Sequence, residues 1–385
     1  EILRCLVGSE MCIRDRFWMW IAAFLGTATK YAEGLLAVKY RTVAEDGHIV
    51  GGPFYYIEKG MGEKWKWLAK LFSFFGVGVG LFGIGTFTQV NGITSAANNF
   101  FDPNNAHMIS LFGRDYSWSV VIAGLILAIC VGLVVIGGLK RISQVSQVVV
   151  PFMAVIYVIA AITILICNIT KIPGAFVTII QSAFGMRAAA GGALGAVLLA
   201  MQKGIARGIF SNEAGLGSAP IAHAATSEKN PVKQGLYGIF EVFMDTIVIC
   251  TLTSLVVLCS GAADGNYGND ALAGVPTAVA GFSSVFGDKA GSLILAVGLL
   301  LFATSTILGW ALYGTRCAEF LFGSKIIRPY QIVFCLVVIA GAVADLTLVW
   351  DISDTLNGLM SIPNLIALLL LSPVVIKLTR EHFKK

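Results

Sequence analysis

The sequence predicts an all-α polytopic membrane protein, and three observations carry that prediction. Of the 385 residues, 57% are hydrophobic and only 13% are charged, against about 25% charged in ordinary soluble domains. Mean hydropathy is +0.81. Several runs of 18 or more apolar residues are each long enough to cross a bilayer as a helix. The third observation is a hydrophobic helix interrupted in its middle. In Gly191–Thr226, Lys203, Arg207, Asn212 and Glu213 stand among Gly204, Gly208, Gly215 and Gly217, with Pro220 following. Each helical glycine costs about 1 kcal/mol against alanine, and a charge at membrane depth about 2.5–3.5 kcal/mol. Irregular backbone survives there only where protein or a watery cavity satisfies its polar groups. Such an interruption is the best sequence pointer to a transporter binding site. The competing reading is a kinked structural span in which Arg207 and Glu213 neutralise each other.

Taken in order, residues 1–16 are expected to be a non-native segment. They form neither a clean signal peptide nor a spanning helix. The domain begins at Phe17, where an aromatic belt opens a span at 17–40 that ends in a basic cluster. Lys30 and Glu33, three apart, share a face and are expected to pair inside the bundle. A polar loop covers 42–64. The span 68–95 is rich in glycine, which lets helices approach closely in lipid. Its far end holds Thr86, Thr88, Gln89 and Asn91, a cluster that is either interhelical glue or ligand-facing. A polar loop at 97–117 precedes spans at 118–138 and 147–168, and the interrupted piece 171–190 lies along the surface.

The broken element occupies 191–226, and the next span, 235–261, carries Glu241 and Asp245 on one face. Solvation at the interface is the simpler reading of these acids. A Gly- and Asp-bearing loop covers 262–287. In the span 288–314, Thr304, Ser305 and Thr306 are consecutive. Such hydroxyls often bond back to the preceding turn, and they are also hard oxygen donors suited to a small cation. Spans at 329–347 and 355–378 follow, the latter notched by Ser361, Pro363 and Asn364 and so either one kinked span or two short ones. Six of the eight cysteines lie in or beside apolar spans without CxxC spacing. They read as packing residues, and no metal site is expected.

Lys and Arg set the orientation. Placing the loops after 40, 139, 226 and 315 and the C-terminal tail in the cytoplasm collects 17 basic residues, against 4 on the other side, the positive-inside asymmetry. The net charge of +5 thus describes loops at an anionic membrane surface and argues for no nucleic-acid partner. Selectivity rings or filter repeats of a channel are missing, and so are the HExxH and GxSxG patterns of an enzyme. His223 with Ser211 or Ser218 is not read as catalytic.

The stretch GIARGIFSNEAGLGSAPIAHAAT resembles the alanine/glycine:cation symporter family, the amino acid carrier proteins. FWMW…TKYAEGLLAVKYR, GGPFYYIEKGMG, the AFG segment with its GG at 191–192 and FATSTILGWALYGTRC support it, so the resemblance covers essentially 17–380. It implies a LeuT-type fold of two inverted five-helix repeats with discontinuous first and sixth helices. In that frame the chain starts at the second helix, and the first, half of the expected site, is absent. It further implies multi-pass residence in a prokaryotic cytoplasmic membrane and symport of alanine or glycine with sodium, protons being the alternative ion. No bound cofactor is implied. Carried over by position, Gln89, Phe210, Ser211, Asn212, Gly215 and Trp310 would meet the substrate. Thr304, Ser305 and Thr306 would hold the cation.

Overall fold

A computed structural model describes residues 9–44, 47–83, 85–102, 104–111, 114–184, 193–262, 275–344 and 346–384. Residues 1–8, the Gly191–Gly192 pair and much of the expected 262–287 loop lie outside them. The described residues form an all-helical bundle with two short antiparallel hairpins. Among the described residues seven helical stretches are long and apolar enough to cross a membrane, which makes the chain a multi-pass membrane protein. The long side chains they leave uncovered, such as Ile126, Ile129 and Leu133 or Val155, Ile159 and Ile166, are apolar, as hydrocarbon-facing surfaces must be.

Helix α1 (Ser9–Tyr40) is the axis of one half of the bundle. It packs against α8 (Ala193–Asn212), α9 (Ala219–Ala224) and α10 (Pro231–Val242). Gly235 and Gly238 of α10 allow that approach: a Cβ on either would stand within 3 Å of Tyr31 or of the Lys30 carbonyl oxygen. In lipid, such small-residue seams replace the hydrophobic effect as the packing device.

The expected polar loop at 42–64 is only partly one. After the β1–β2 hairpin (Thr42–Val43 with Ile49–Val50), α2 (Pro53–Tyr56) runs into a π turn, Ile57–Met61. Phe54, Tyr56 and Ile57 are fully buried in the largest core cluster, against Phe72, Leu216 and Leu368. Pro53 at the first helical position, with Gly52 at a φ of 129°, suits an abrupt helix start. Polar flanks had hidden an inward-folded helical turn.

The glycine-rich span expected at 68–95 is two helices, α3 (Lys66–Phe82) and α4 (Phe87–Phe101), so it too is discontinuous. Gly83, Gly85 and Thr86 lie outside both helices. A Cβ on Gly85 would stand only 1.6 Å from Cδ1 of Trp310, so an indole occupies the space that a side chain here would need. Thr86 satisfies one carbonyl freed at the break, donating its hydroxyl to Gly80 O at 2.7 Å.

Two loop boundaries also move. Helix α4 runs to Phe101, after which Met108–Leu111 pairs with Arg114–Ser117 as β3–β4. Between α5 (Trp118–Val135) and α6 (Gly138–Cys167) only a two-residue connection remains. The expected linker at 139–146 is the first turns of α6, where exposed polar residues extend the helix beyond its apolar stretch. Helix α7 (Ile172–Ala183) is the helical part of the interrupted piece expected at 171–190, of which residues 185–190 lie outside the described residues. Beyond α10, a π segment (Phe243–Ile249) and α11 (Cys250–Ser260) complete one span. Within the expected 262–287 loop, residues 275–286 form α12 (Val275–Phe286). Helices α13 (Asp288–Phe322), α14 (Ile327–Ala342) and α15 (Leu346–Phe383) follow. Helix α15 passes through Pro363 and Pro373 as one element, settling the open choice there.

Candidate functional site

The interrupted helix organises the site. Helix α8 continues through Gly208 and ends at Asn212, slightly later than its glycines suggest, and α9 begins at Ala219. Between them Glu213, Gly215 and Gly217 take φ values of 54°, 91° and 83°, left-handed geometry natural to glycine and uncommon for glutamate. Gly217 is additionally confined, since a Cβ there would meet Phe72 at 2.7 Å and Pro53 at 2.8 Å.

Such a break exposes carbonyls at one helix end and N–H groups at the other. Lys30 and Glu33, one turn apart on α1, serve these two ends. Lys30 Nζ donates to Asn212 O at 2.8 Å, a cation at a helix C-terminus. Glu33 Oε1 accepts from the N–H groups of Gly215 and Gly217, both at 3.1 Å, an anion where N–H groups converge. Both placements follow the helix dipole. The expected Lys30–Glu33 pairing thus gives way to a shared capping task across α1 and the broken helix. Asn364 of α15 joins in, donating to Glu33 Oε1 at 2.6 Å and to Gly215 O at 3.0 Å, and Tyr56 donates its hydroxyl to Asn364 Oδ1. The polar groups of Gly215, assigned to substrate by resemblance, are engaged by Glu33 and Asn364.

Arg207 and Glu213 also have partners on other elements. Arg207 reaches Asp354 Oδ1 at 3.5 Å. Its guanidinium lies 4.1 Å from the Trp350 ring centre and 5.5 Å from that of Phe210, and those rings are 5.0 Å apart. Glu213 accepts from Ser218 Oγ at 2.6 Å and from Trp310 Nε1 at 3.1 Å. The indole that fills the gap at Gly85 therefore also holds the first residue of the other break.

Beside this break is a cavity of about 1050 Å³. Its wall includes Lys30, Ser211, Asn212, Glu213, Glu241, Asp245, Ser305, Thr306, Trp310 and Tyr313, and it extends to Leu139–Ser143 and Ala222–Thr226. Ser211, Asn212, Trp310, Ser305 and Thr306 of the sequence-derived set are thus brought to one cavity. Gln89, Phe210 and Gly215 are buried but are not among its lining residues, and neither is Thr304. Ser305 and Thr306 donate their hydroxyls to Phe302 O at 2.7 and 3.1 Å, the back-bonding pattern, while their oxygens keep lone pairs for a cation.

Two acids that sequence reasoning set aside as interfacial belong to this wall. Glu241 pairs with Lys30 at 3.6 Å and with His223 at 3.1 Å. Asp245 is buried, and its Oδ2 accepts from Ser211 Oγ and Thr246 Oγ1, both at 2.7 Å. Glu241 stays half exposed where it lines the cavity, whereas Asp245, four residues on, is buried. The segment Phe243–Ile249 around Asp245 is π-helical, a local geometry frequent at functional sites.

Comparison with known proteins places this chain in a family. The model of the sodium:alanine symporter family matches residues 15–385. The sodium/alanine symporter AgcS of Methanococcus maripaludis is 46% identical over 366 residues, 94% of this chain and 76% of its own length. An uncharacterized transporter of Haemophilus influenzae is 47% identical over 370 residues, 96% of this chain and 76% of its own. The probable sodium/glutamine symporter GlnT of Bacillus subtilis is 39% identical over 371 residues, 96% and 72% respectively. A multi-pass bundle with a broken, charge-capped helix beside an internal cavity, matched along almost its whole length, belongs to the sodium:alanine symporter family and is a transporter, not an enzyme.

Proposed function

We propose that this chain carries small neutral amino acids, alanine or glycine, into the cell together with sodium, through a LeuT-type fold of inverted repeats. The cavity at the helix break is the observation that carries the reading. Its wall unites a half-helix end, the indole of Trp310 and the hydroxyls of Ser305 and Thr306, the mixture of dipole ends and neutral oxygens that suits a zwitterion with a small cation. The cavity reaches the ends of segments counted as cytoplasmic by the positive-inside asymmetry. On this reading it represents an inward-facing state, with the stack of Arg207, Trp350 and Phe210 closing the other side.

Substrate size is set by Trp310, which is 1% exposed and fixed by Glu213. One extra methylene in such a pocket shifts discrimination by about 1–3 kcal/mol. The glutamine named for one relative makes glutamine the informative competitor. Proton coupling is the second reading, favoured by the carboxylates of Glu213, Glu241 and Asp245 along the wall. Both are tested by alanine uptake at fixed pH with sodium replaced by choline, glycine, leucine and glutamine serving as competitors. Uptake should collapse in choline, and glycine should compete best. Full uptake in choline that is lost only when the proton gradient is dissipated would reject sodium.

A further inference from the structure

We propose that a pocket of about 390 Å³ where the cytoplasmic ends of α5, α6, α13 and α14 meet holds the headgroup of an anionic phospholipid that also carries a hydroxyl, as phosphatidylglycerol does. The proposal is independent of the transported substrate and of the coupling ion.

The charges of the wall select a phosphate. Lys140 of α6 and Arg316 of α13 line the pocket together with His48. Nη1 of Arg316 is shared between Glu319 Oε2, at 2.6 Å, and His48 Nε2. Among the described residues Lys140 has no such partner. Two more guanidiniums stand at the rim, Arg141 donating to Leu133 O at 3.0 Å and Arg328 to Ile136 O at 3.4 Å, cations at the C-terminal end of α5. Lys140, Arg141, Arg316 and Arg328 against Glu319 leave a surplus of positive charge, and guanidinium groups suit phosphate oxygens geometrically.

Gln331 of α14 adds the second requirement. It lines the same pocket and is 6% exposed. Its Nε2 donates to Val135 O at 3.0 Å, which fixes the amide, whereas its Oε1 is buried with no hydrogen-bond partner. Buried acceptors are normally satisfied. A phosphate diester has no proton to give, so the ligand that fills this place carries a hydroxyl beside its phosphate.

Position makes that phosphate a lipid's. On the α5 and α14 sides of the pocket Leu133, Ile136, Ile332 and Leu336 are each more than half exposed, the kind of surface that acyl chains cover. By the basic-residue asymmetry the pocket lies at the cytoplasmic leaflet, where basic pockets between spanning helices take up anionic headgroups. Its wall shares Leu139, Lys140, Ile142 and Leu312 with the large cavity at the helix break. A bound headgroup would therefore brace the contact of α6 with α13 from behind and favour the state in which that cavity is open.

The test is equilibrium binding of radiolabelled phosphatidylglycerol to the purified carrier in neutral detergent. The competitors are phosphatidylmethanol, which keeps the charge and lacks the hydroxyl, phosphatidylcholine and inorganic phosphate. Unlabelled phosphatidylglycerol should displace the label best, phosphatidylmethanol severalfold less well, and the other two hardly at all. Lys140→Gln should weaken phosphatidylglycerol about fivefold, the worth of one basic residue at an anionic lipid surface. Lys70→Gln, an exposed lysine outside the pocket, should change nothing. Gln331→Leu should bring phosphatidylglycerol down to the affinity of phosphatidylmethanol. Lys140 is exposed, so its variant decides the matter if Gln331→Leu is not monodisperse. Equal displacement by phosphatidylcholine would reduce the pocket to general lipid contact, and displacement by inorganic phosphate would make it a site for a soluble anion; either result overturns the proposal. Phosphatidylmethanol binding as tightly as phosphatidylglycerol, or unchanged affinity in the folded pocket variants, overturns it equally.

Discussion

Removing the Glu33 carboxylate should undo the break in α8–α9, and the size of the effect can be worked from its partners. Glu33→Ala leaves the N–H groups of Gly215 and Gly217 without their acceptor in a buried site. Each orphaned donor costs about 1–3 kcal/mol, or roughly 2–6 kcal/mol together. Asn364 loses one contact but keeps Gly215 O, so its share is small. An opposing effect exists, because deleting a buried carboxylate also removes its desolvation cost. Glu33→Gln separates the two, since it removes the charge and retains a carbonyl oxygen as acceptor. The expected order of stability is wild type, then Gln, with Ala lowest and about 2–6 kcal/mol below Gln. Unfolding by titration with SDS in mixed micelles, followed by circular dichroism, reads this order. Alanine and glutamine variants of equal stability would show that the carboxylate does not cap the break.

Three further outcomes follow from the same geometry. Gly85→Ala should drive its Cβ into Trp310 and cost about 1–3 kcal/mol or more by overpacking; Gly298→Ala, which meets nothing within 4 Å, should be neutral or slightly stabilising in thermal melts, and Gly85→Ala combined with Trp310→Ala should recover part of the loss. Trp310→Ala alone should weaken alanine while admitting larger amino acids, read as a changed ratio of leucine to alanine kcat/KM; an unchanged ratio would remove Trp310 from substrate selection. Cysteines placed at Lys64 and Asn104, in a background lacking the exposed Cys130 and Cys167, should react with an impermeant reagent from the inside and the outside of the cell respectively, and the reverse pattern would invert the assigned orientation.

The membrane class and the position of the main break were legible because both are matters of composition. Charges and glycines inside an apolar run have few explanations, and the break falls within the stretch they mark. The second break, at Gly83, Gly85 and Thr86, was not legible from the same logic. There the glycines sit among phenylalanines with no charge beside them, and glycine alone is equally a sign of close helix packing. The indole of Trp310, more than two hundred residues away in sequence, fills the space beside Gly85. The buried turn at Phe54–Ile57 escaped for a related reason. Its flanks are polar, and only the tertiary fold turns its three large side chains inward.

Lys30 and Glu33 mark how far spacing alone could reach. Two opposite charges three residues apart on a helix offer a sufficient local explanation of each other, and nothing in the sequence says that a better one exists. The broken helix supplies it. A carbonyl end and an N–H end, both freed by the break, each need a charge of the opposite sense, and one turn of α1 presents both. Asp245 follows the same pattern, since its face reads as solvated in the sequence and is buried in the fold, while Glu241 stays half exposed at the cavity. Most of the charged groups at the break therefore answer to a backbone group or a side chain on another element. This is why the local pattern marked the helix break and assigned the partners of its charges poorly. It is also why Asp245 stands apart, as the one carboxylate of this wall whose second oxygen is answered by no protein group among the described residues.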